Sequence, residues 1–543
     1  MTDVKTLIDR GNKLFADKSS LDSLHQELAD NFYPERGGFT RTWNLGEDFA
    51  AGLQSSYPIL VRRDLGNAIS SMLRPRNRQW FHMTIDGDED KLSKTSRSWL
   101  EWATDRMRKP MLDRVSGFMR ATKEGDHDFA TFGQCVIQPE LDWNNGSLLY
   151  MNWHIKDCAW LEGANGMIDQ FYRNWRPTAR QLVSKYGTTK CHADTVKLAD
   201  DHPNDTVKVL CVSMPAGDYE DNKKNRHKWI YLVIDVERQH IIEEVNRPRF
   251  GYVIPRWQTV SGSAYAYSPA AIAGLPDARL IQAMTHTLLR AGEMAVWPPL
   301  AAKKDALRED VQYFPGGISW VDAEYDQRAG YAVEPFMRDK SGLPFGMDFA
   351  NDIRSMLASA FYLNKISMPN LAALGGDRTA YEIGQYVEQY IREALPLFEP
   401  MEVEYNGGLC EDTFELVLPT GILGSWSDIP QELRGKDITF RFESPLHDAL
   451  ERKRGATFLE AKQLLREAYE LDQSTLYTMD ARTAVREALT GIGTPADWLN
   501  SEDAVEKYAK DLEAQRQARI EAERVGEAAS SAESLGKAAQ AFS

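Results

Sequence analysis

Between Tyr267 and Asn406 the chain alternates helix-forming stretches with strong breakers, and that order constrains the fold more than any other segment. From Ile272 the apolar residues Leu280, Ile281, Met284, Leu288 and Leu289 recur at helical spacing until Pro298-Pro299 stop them. Residues 300–342 read as irregular or β-like, with "FPGGISWVD" and "KSGLP". A second helix is expected over about 346–363, on Ile353, Leu357 and Phe361. Residues 364–377, "NKISMPNLAALGGD", contain Pro369 and Gly375-Gly376 and cannot be helical throughout. A third helix is expected from about Thr379, capped by Asp377 or Thr379. It carries Ile383, Tyr386, Val387, Tyr390, Ile391 and Leu395, and should kink or end at Pro396 and Pro400.

The rest of the chain organises around this run. Residues 1–35 predict two helices, and Tyr57–Leu73 a third, with Leu60, Leu65, Ile69 and Leu73 in register. "RQWFHMTID" alternates like a strand, and Ser98–Met119 reads as helix. "FGQCVIQPE" and "SLLYMNWHI" predict a hairpin turning at Asn145-Gly146. Further strand patterns fill residues 205–260, so the first half is α+β. "KDITFRFES" is a late strand candidate after a Pro/Gly-rich connection. Residues 446–529 are mostly helical and end in a helix of mixed charge, followed by a small, polar tail. The whole is expected to be α+β and predominantly helical, with more than one domain at 543 residues.

Composition narrows the chemistry. Asp and Glu number 80 against 64 Lys and Arg, a net charge of −16, whereas tight nucleic-acid binders carry a basic excess. Five scattered cysteines with no CxxC pair predict neither a disulfide framework nor a cysteine zinc site, and fit a reducing cytoplasm. No signal peptide and no membrane-length apolar run is read in the sequence. GxxxxGK[ST], GxSxG and HExxH motifs are absent, so no nucleotide loop, serine nucleophile or zinc protease site is expected. Asp86, Asp88 and Asp90 have calcium-loop spacing, but Lys91 and Arg97 stand where Gly and Glu are needed. Asp126, His127 and Asp128 form a conceivable acid/base cluster, read more simply as a polar loop before an aromatic stretch. Arg74, Arg76 and Arg78 read as a solvated loop leading into the strand at Trp80-Phe81.

Several segments together resemble the portal, or head-to-tail connector, proteins of short-tailed, T7-like bacteriophages. "MLRPRNRQWFHMTID" is similar to a Leu-Pro…Trp-Phe segment of that family, and "FGQCVIQPE" to one of its strands. "YSPAAIAGLPDARLIQAMTHTLLRAGEMAVWPPL" with "FPGGISWVD" behind it is the nearest likeness. "RTAYEIGQYVEQYIREALPLFEPM" and "ESPLHDALERKRG" complete the order.

The resemblance implies a ring-forming fold of wing, stem, clip and crown, usually of about twelve copies. By position, 1–260 would be the wing, 261–296 the first stem helix, 297–342 the clip and 343–363 the second stem helix. Residues 364–377 would be a tunnel loop that includes Pro369, Asn370, Leu371, Gly375 and Gly376. Residues 378–445 would hold the long wing helix and a strand region, and 446–543 the crown and tail. Such a protein is not an enzyme and needs no cofactor or metal. It would sit at one capsid vertex of a virion, after assembly in the host cytoplasm, and conduct double-stranded DNA during packaging and ejection. Its partners would be its own copies, the terminase large subunit, a tail adaptor, and the scaffolding and major capsid proteins. Lys303, Lys304, Arg308, Lys365 and Arg378 would face the DNA channel. The competing readings are a cytoplasmic assembly scaffold or adaptor, and a hydrolase or nuclease built on His127.

Overall fold

The computed structural model describes residues 3–42, 46–75, 79–85, 92–142, 146–219, 227–296, 300–302, 333–335, 342–366 and 401–442, with scattered residues of 458–520. The chain divides into two compact units, one of Met1–Trp80 with Arg108–Thr420, the other of Phe81–Met107 with Gly421–Ser543.

The first unit opens with helices α1 (Val4–Asp17) and α2 (Ser19–Phe32), followed by α3 (Tyr57–Leu73). In α3, Val61, Leu65, Ile69 and Leu73 are buried, whereas Leu60 of the expected stripe faces solvent. Strand β1 (Phe81–Ile85) and helix α4 (Lys94–Met111) come next in sequence. The helix expected over Ser98–Met119 breaks near Pro110, because Asp113 caps a short 3-10 turn and Gly117 takes a left-handed φ of 66°. Helix α5 (Phe118–Phe132) then runs through Asp126, His127 and Asp128, so this cluster lies on a helix, not in a loop. Phe118, Ala121, Thr122, Gly125, Phe129 and Phe132 carry one apolar face straight through the charged residues.

The hairpin of β2 (Val136–Asp142) and β3 (Ser147–Trp153) pairs in register from Val136↔Trp153 to Asp142↔Ser147. Its turn holds Gly146 at φ 63°, a left-handed conformation that glycine adopts without Cβ strain. Five antiparallel strands follow in consecutive order: β4 (Cys158–Glu162), β5 (Ile168–Trp175), β6 (Val209–Pro215), β7 (Trp229–Asp235) and β8 (His240–Arg247). Helices α6 (Ala179–Tyr186) and α7 (Ala193–Asp201) fill the β5–β6 connection, and α8 (Ala216–Tyr219) follows β6. Leu210, Val212 and Met214 sit opposite Ile234, Leu232 and Ile230, and α1 lays Leu7 and Ile8 on that face. Period-two alternation therefore makes one continuous core between sheet and helix.

Lys18 locks the α1–α2 corner. Its side chain is fully buried, its Nζ donates to the carbonyls of Ile155 (2.7 Å) and Cys158 (2.8 Å), and it pairs with Asp22 at 3.2 Å.

A π-turn at Ala270–Gly274 leads into α9 (Leu275–Val296), which ends just before Pro298-Pro299. Short strands β9 (Leu300–Ala302) and β10 (Val333–Pro335) pair with each other. Helix α10 (Gly342–Ala360) is followed by the one-turn α11 (Leu363–Ile366). The expected third helix, with Pro396 and Pro400, lies outside the described residues, which resume at Met401. A π-turn at Glu402–Gly407 passes directly into α12 (Gly408–Val417), so Gly407-Gly408 lie inside a helix, not in a connection.

In the second unit, β1 pairs antiparallel with β11 (Ile438–Phe442), from Phe81↔Phe442 to Ile85↔Ile438. Residues 1–260, read from sequence as one α+β stretch, thus contribute to both units. Glu432 accepts from Ser93 Oγ (2.8 Å) and Ser96 Oγ (2.7 Å), closing the first turn of α4. Helix α13 (Ala481–Gly491) is the longest continuously described element beyond β11.

Replacing Lys18 by Met removes a buried donor from the Ile155 and Cys158 carbonyls and leaves Asp22 without its ammonium partner. Lys18→Met is expected to lower stability by about 3 kcal/mol, read as an earlier chemical-denaturation transition monitored by sheet signal. An unchanged transition would contradict this role.

Candidate functional site

Helices α9 and α10 form an antiparallel pair whose packed face is apolar and whose exposed face carries apolar side chains among polar and charged ones such as Arg290 and Asp352. Ile281 packs with Ala350 and Ile353, and Met284 and Leu288 cover them. On α10 the buried positions Gly346, Ala350, Ile353 and Leu357 follow one stripe. A Cβ at Gly346 would lie 2.7 Å from Leu288 Cδ2, so glycine permits the close approach of the two helices there. At the other end a Cβ on Gly274 would meet the rings of Phe361 at 2.8 Å and Phe32 at 3.2 Å. The pair is therefore pinned against α2 at its base.

Its base is also tied by hydrogen bonds. Gln282 Oε1 accepts from the backbone amides of Gln54 and Ser55, both at 2.8 Å, and Tyr57 Oη donates to the Arg354 carbonyl at 3.1 Å. Ser268 Oγ, one turn before α9, donates to the Thr131 carbonyl of α5 at 2.6 Å.

A second apolar stripe on α10 has no cover. Phe345, Phe349 and Met356 repeat at helical spacing and are 75%, 40% and 57% exposed. Leu289, Met294 and Val296 of α9 are likewise exposed. Leu280 and Leu289, expected in the buried stripe, belong to this uncovered surface instead.

Beneath the pair, α5 presents three consecutive charged or polar residues, each met by a different arginine. Arg74 is buried, not solvated: it pairs with Asp126, donates to Asn406 Oδ1 at 2.9 Å and lies over the Tyr405 ring at 4.4 Å. Burial opposes the Arg74 charge, yet the Asp126 carboxylate outweighs it and holds the guanidinium above its ordinary pKa. Arg36 grips Asp128 with two bonds, 2.9 and 2.7 Å, and Asn152 adds a third at 2.7 Å. Arg62 Nη1 donates to His127 Nδ1 at 3.3 Å, while its Nε donates to the Phe32 carbonyl at 2.9 Å. Arginine carries only donors, so Nδ1 must be the accepting nitrogen of a neutral ring.

Burial, and then Arg62, push the His127 pKa down to about 4. His154 is likewise lowered to about 4, by burial and Arg36, and His25 to about 3, chiefly by burial. With its Nδ1 lone pair engaged by Arg62 and both flanking carboxylates held by arginines, His127 is tied into a network of packing and hydrogen bonds. The cluster is a structural knot.

Of the residues expected to touch DNA, Lys365 lies exposed on α11, just after Tyr362, whose left-handed φ of 57° ends α10. The Tyr362 ring stacks on Trp257, with centroids 6.3 Å apart. Lys303, Lys304, Arg308 and Arg378 lie outside the described residues, as do Pro369, Asn370, Leu371, Gly375 and Gly376 and the Asp86–Asp90 loop. Among the described residues no cluster of three His, Cys, Asp or Glu could hold a metal ion, and no helix is long and apolar enough to cross a membrane. All five cysteines are buried and free.

The histidines fix a pH dependence. Each has a folded pKa below its ordinary 6.5, so the folded state binds fewer protons than the unfolded chain in acid. Their contribution is fully present above pH 6.5 and is lost as the pH falls toward 4. His127→Gln with His154→Gln should flatten the acid side of a stability–pH profile; an identical profile would contradict the assignment.

Residues 4–499 match the family described as bacteriophage head to tail connecting protein. The chain is 25% identical over 466 residues to the "Probable portal protein" of Bordetella phage BPP-1, covering 82% of this chain and 80% of that one. It is 19% identical over 470 residues to the "Portal protein" of Salmonella phage epsilon15, again covering 82% and 80%. With the family match spanning most of its length, the chain belongs to the bacteriophage head-to-tail connecting proteins.

Proposed function

We propose that copies of this chain close into a ring of about twelve at one capsid vertex, and that the ring conducts double-stranded DNA into and out of the virion. The observation that carries the reading is the uncovered stripe of Phe345, Phe349 and Met356 on a helix whose other face is already packed. An apolar stripe on a rigid hairpin marks an interaction surface. In a cyclic assembly each copy presents one face to its neighbour and receives a different one, and the opposite faces of a helix pair suit this head-to-tail contact.

The ring would be a passive conduit. The terminase large subunit would supply the motor on one side and a tail adaptor would bind later, while the scaffolding and major capsid proteins surround the vertex. A net charge of −16 per copy gives on the order of two hundred negative charges per ring, which disfavours static DNA binding. Lys303, Lys304, Arg308, Lys365 and Arg378 would offer brief phosphate contacts along the channel. Residues 364–377 would form the loop nearest the DNA, with Gly375-Gly376 allowing it to move. Assembly would take place in the host cytoplasm.

Two tests bear on this reading. Phe345→Asp with Met356→Asp should yield monomers by native mass spectrometry with helix content unchanged; rings that persist would contradict the interface. Deleting Leu371–Gly376 should impair DNA packaging or retention in assembled particles, and normal particles would remove the loop from the mechanism.

A further inference from the structure

Asp412 is the buried member of an acidic group on α12 whose nearest cation is already taken. Glu411, Asp412 and Glu415 lie on one side of the helix, within about 100° of arc. Asp412 is 8% exposed, yet it makes no hydrogen bond or ion pair with any described residue. Arg249, two residues beyond β8, is held by its neighbours: it pairs with Glu411, and its Nε lies 3.8 Å from Glu415. Arg247, at the end of β8, is a second cation within charge range of Asp412. It has no ion pair among the described residues, and its guanidinium lies over the Tyr231 ring at 4.0 Å.

Other titratable groups around α12 are already engaged or neutral. Tyr150 of β3 shares a hydrogen bond with Thr413 Oγ1 at 2.6 Å, and burial keeps its phenol protonated. Burial likewise keeps Cys410 a neutral thiol. Glu140 of β2 is held by Lys185 at 3.0 Å, and Glu404 in the preceding π-turn by Arg256 at 3.2 Å. A buried carboxyl beside two carboxylates, with the nearer arginine occupied, is favoured as the neutral acid. Burial, the largest effect, pushes the Asp412 carboxyl up to about 7; Arg249 and Arg247 pull it down, and Glu411 and Glu415 push it up.

We propose that Asp412 is a proton switch on the contact between α12 and the segment after β8: protonated, it leaves Arg249 with Glu411 and Glu415; ionised, it takes Arg249 from them. A buried carboxylate gains more from an arginine than a solvated one does, because water already stabilises the latter. Glu411 and Glu415 are partly exposed, so water replaces the arginine they give up. Arg249 is the cation that moves, since Arg247 is stacked on Tyr231. This inference stands apart from the ring reading, because every group in it belongs to one subunit.

Two measurements on the full-length protein test it. The folded Asp412 binds its proton above the ordinary carboxyl value of 3.8, so its contribution favours folding on the acid side and is lost as the pH rises toward 7. Asp412→Asn fixes the neutral form, so its gain in thermal midpoint over the parent should widen by a few degrees from pH 5 to pH 8. The buried histidines act alike in both proteins and cancel in that difference. A gain that is the same at both pH values would overturn the proton step. Electron cryomicroscopy of the unmodified protein needs no variant to fold. Its maps should place the Arg249 guanidinium on Glu411 and Glu415 at pH 5.5 and on Asp412 at pH 8; an arginine that keeps its partners at both would overturn the exchange.

Discussion

Helix α5 places Asp126, His127 and Asp128 side by side in a core where an unpaired charge costs several kcal/mol, and the first unit is arranged around that constraint. Arg74 and Arg62 arrive from α3, and Arg36 from the turn after α2. Asn406 reaches in from the π-turn before α12 and Asn152 from β3. Removing one partner strands the other, so these segments are fixed to α5 as a set. The same helix holds Ser268 through the Thr131 carbonyl, which anchors the start of α9. The start of the helix pair is therefore fixed to the α5 core.

The two apolar surfaces of the first unit differ in kind. Between α1 and the five-stranded sheet, Leu7 and Ile8 close over Leu210, Val212, Leu232 and Ile234, and that core is complete within one chain. The α9–α10 pair is not complete. Ile281, Ala350 and Ile353 form its inner contact, and Phe345 and Met356 lie outside it. An assembly whose subunits fold first and associate second has this division: a closed core for stability and an open stripe for contact.

Regular elements with clear periodicity were legible in the sequence. The β2–β3 hairpin and the α3 and α9 helices follow from apolar spacing and from Gly146, Pro298 and Pro299. What escaped was everything that depends on distant partners. Asp126, His127 and Asp128 suggest a loop only if local polarity is weighed alone; the stripe from Phe118 through Gly125 to Phe132 was the signal that they ride on a helix. Arg74 looks solvated because Asn406, its second partner, is 332 residues away. Leu280 and Leu289 look like core because periodicity marks an apolar face without saying which molecule covers it. The pairing of Phe81–Ile85 with Ile438–Phe442 was invisible for the same reason, since a strand's partner is not written in its own pattern.

Electron cryomicroscopy of the assembled protein tests the central claim most directly, because it locates the α9–α10 pair within the oligomer. The account predicts a closed ring in which the pairs from all copies pack side by side around the central opening, with Phe345, Phe349 and Met356 of each buried against a neighbour. Rings whose helix pairs point outward with that stripe still exposed to solvent, or particles that stay single chains, would contradict it.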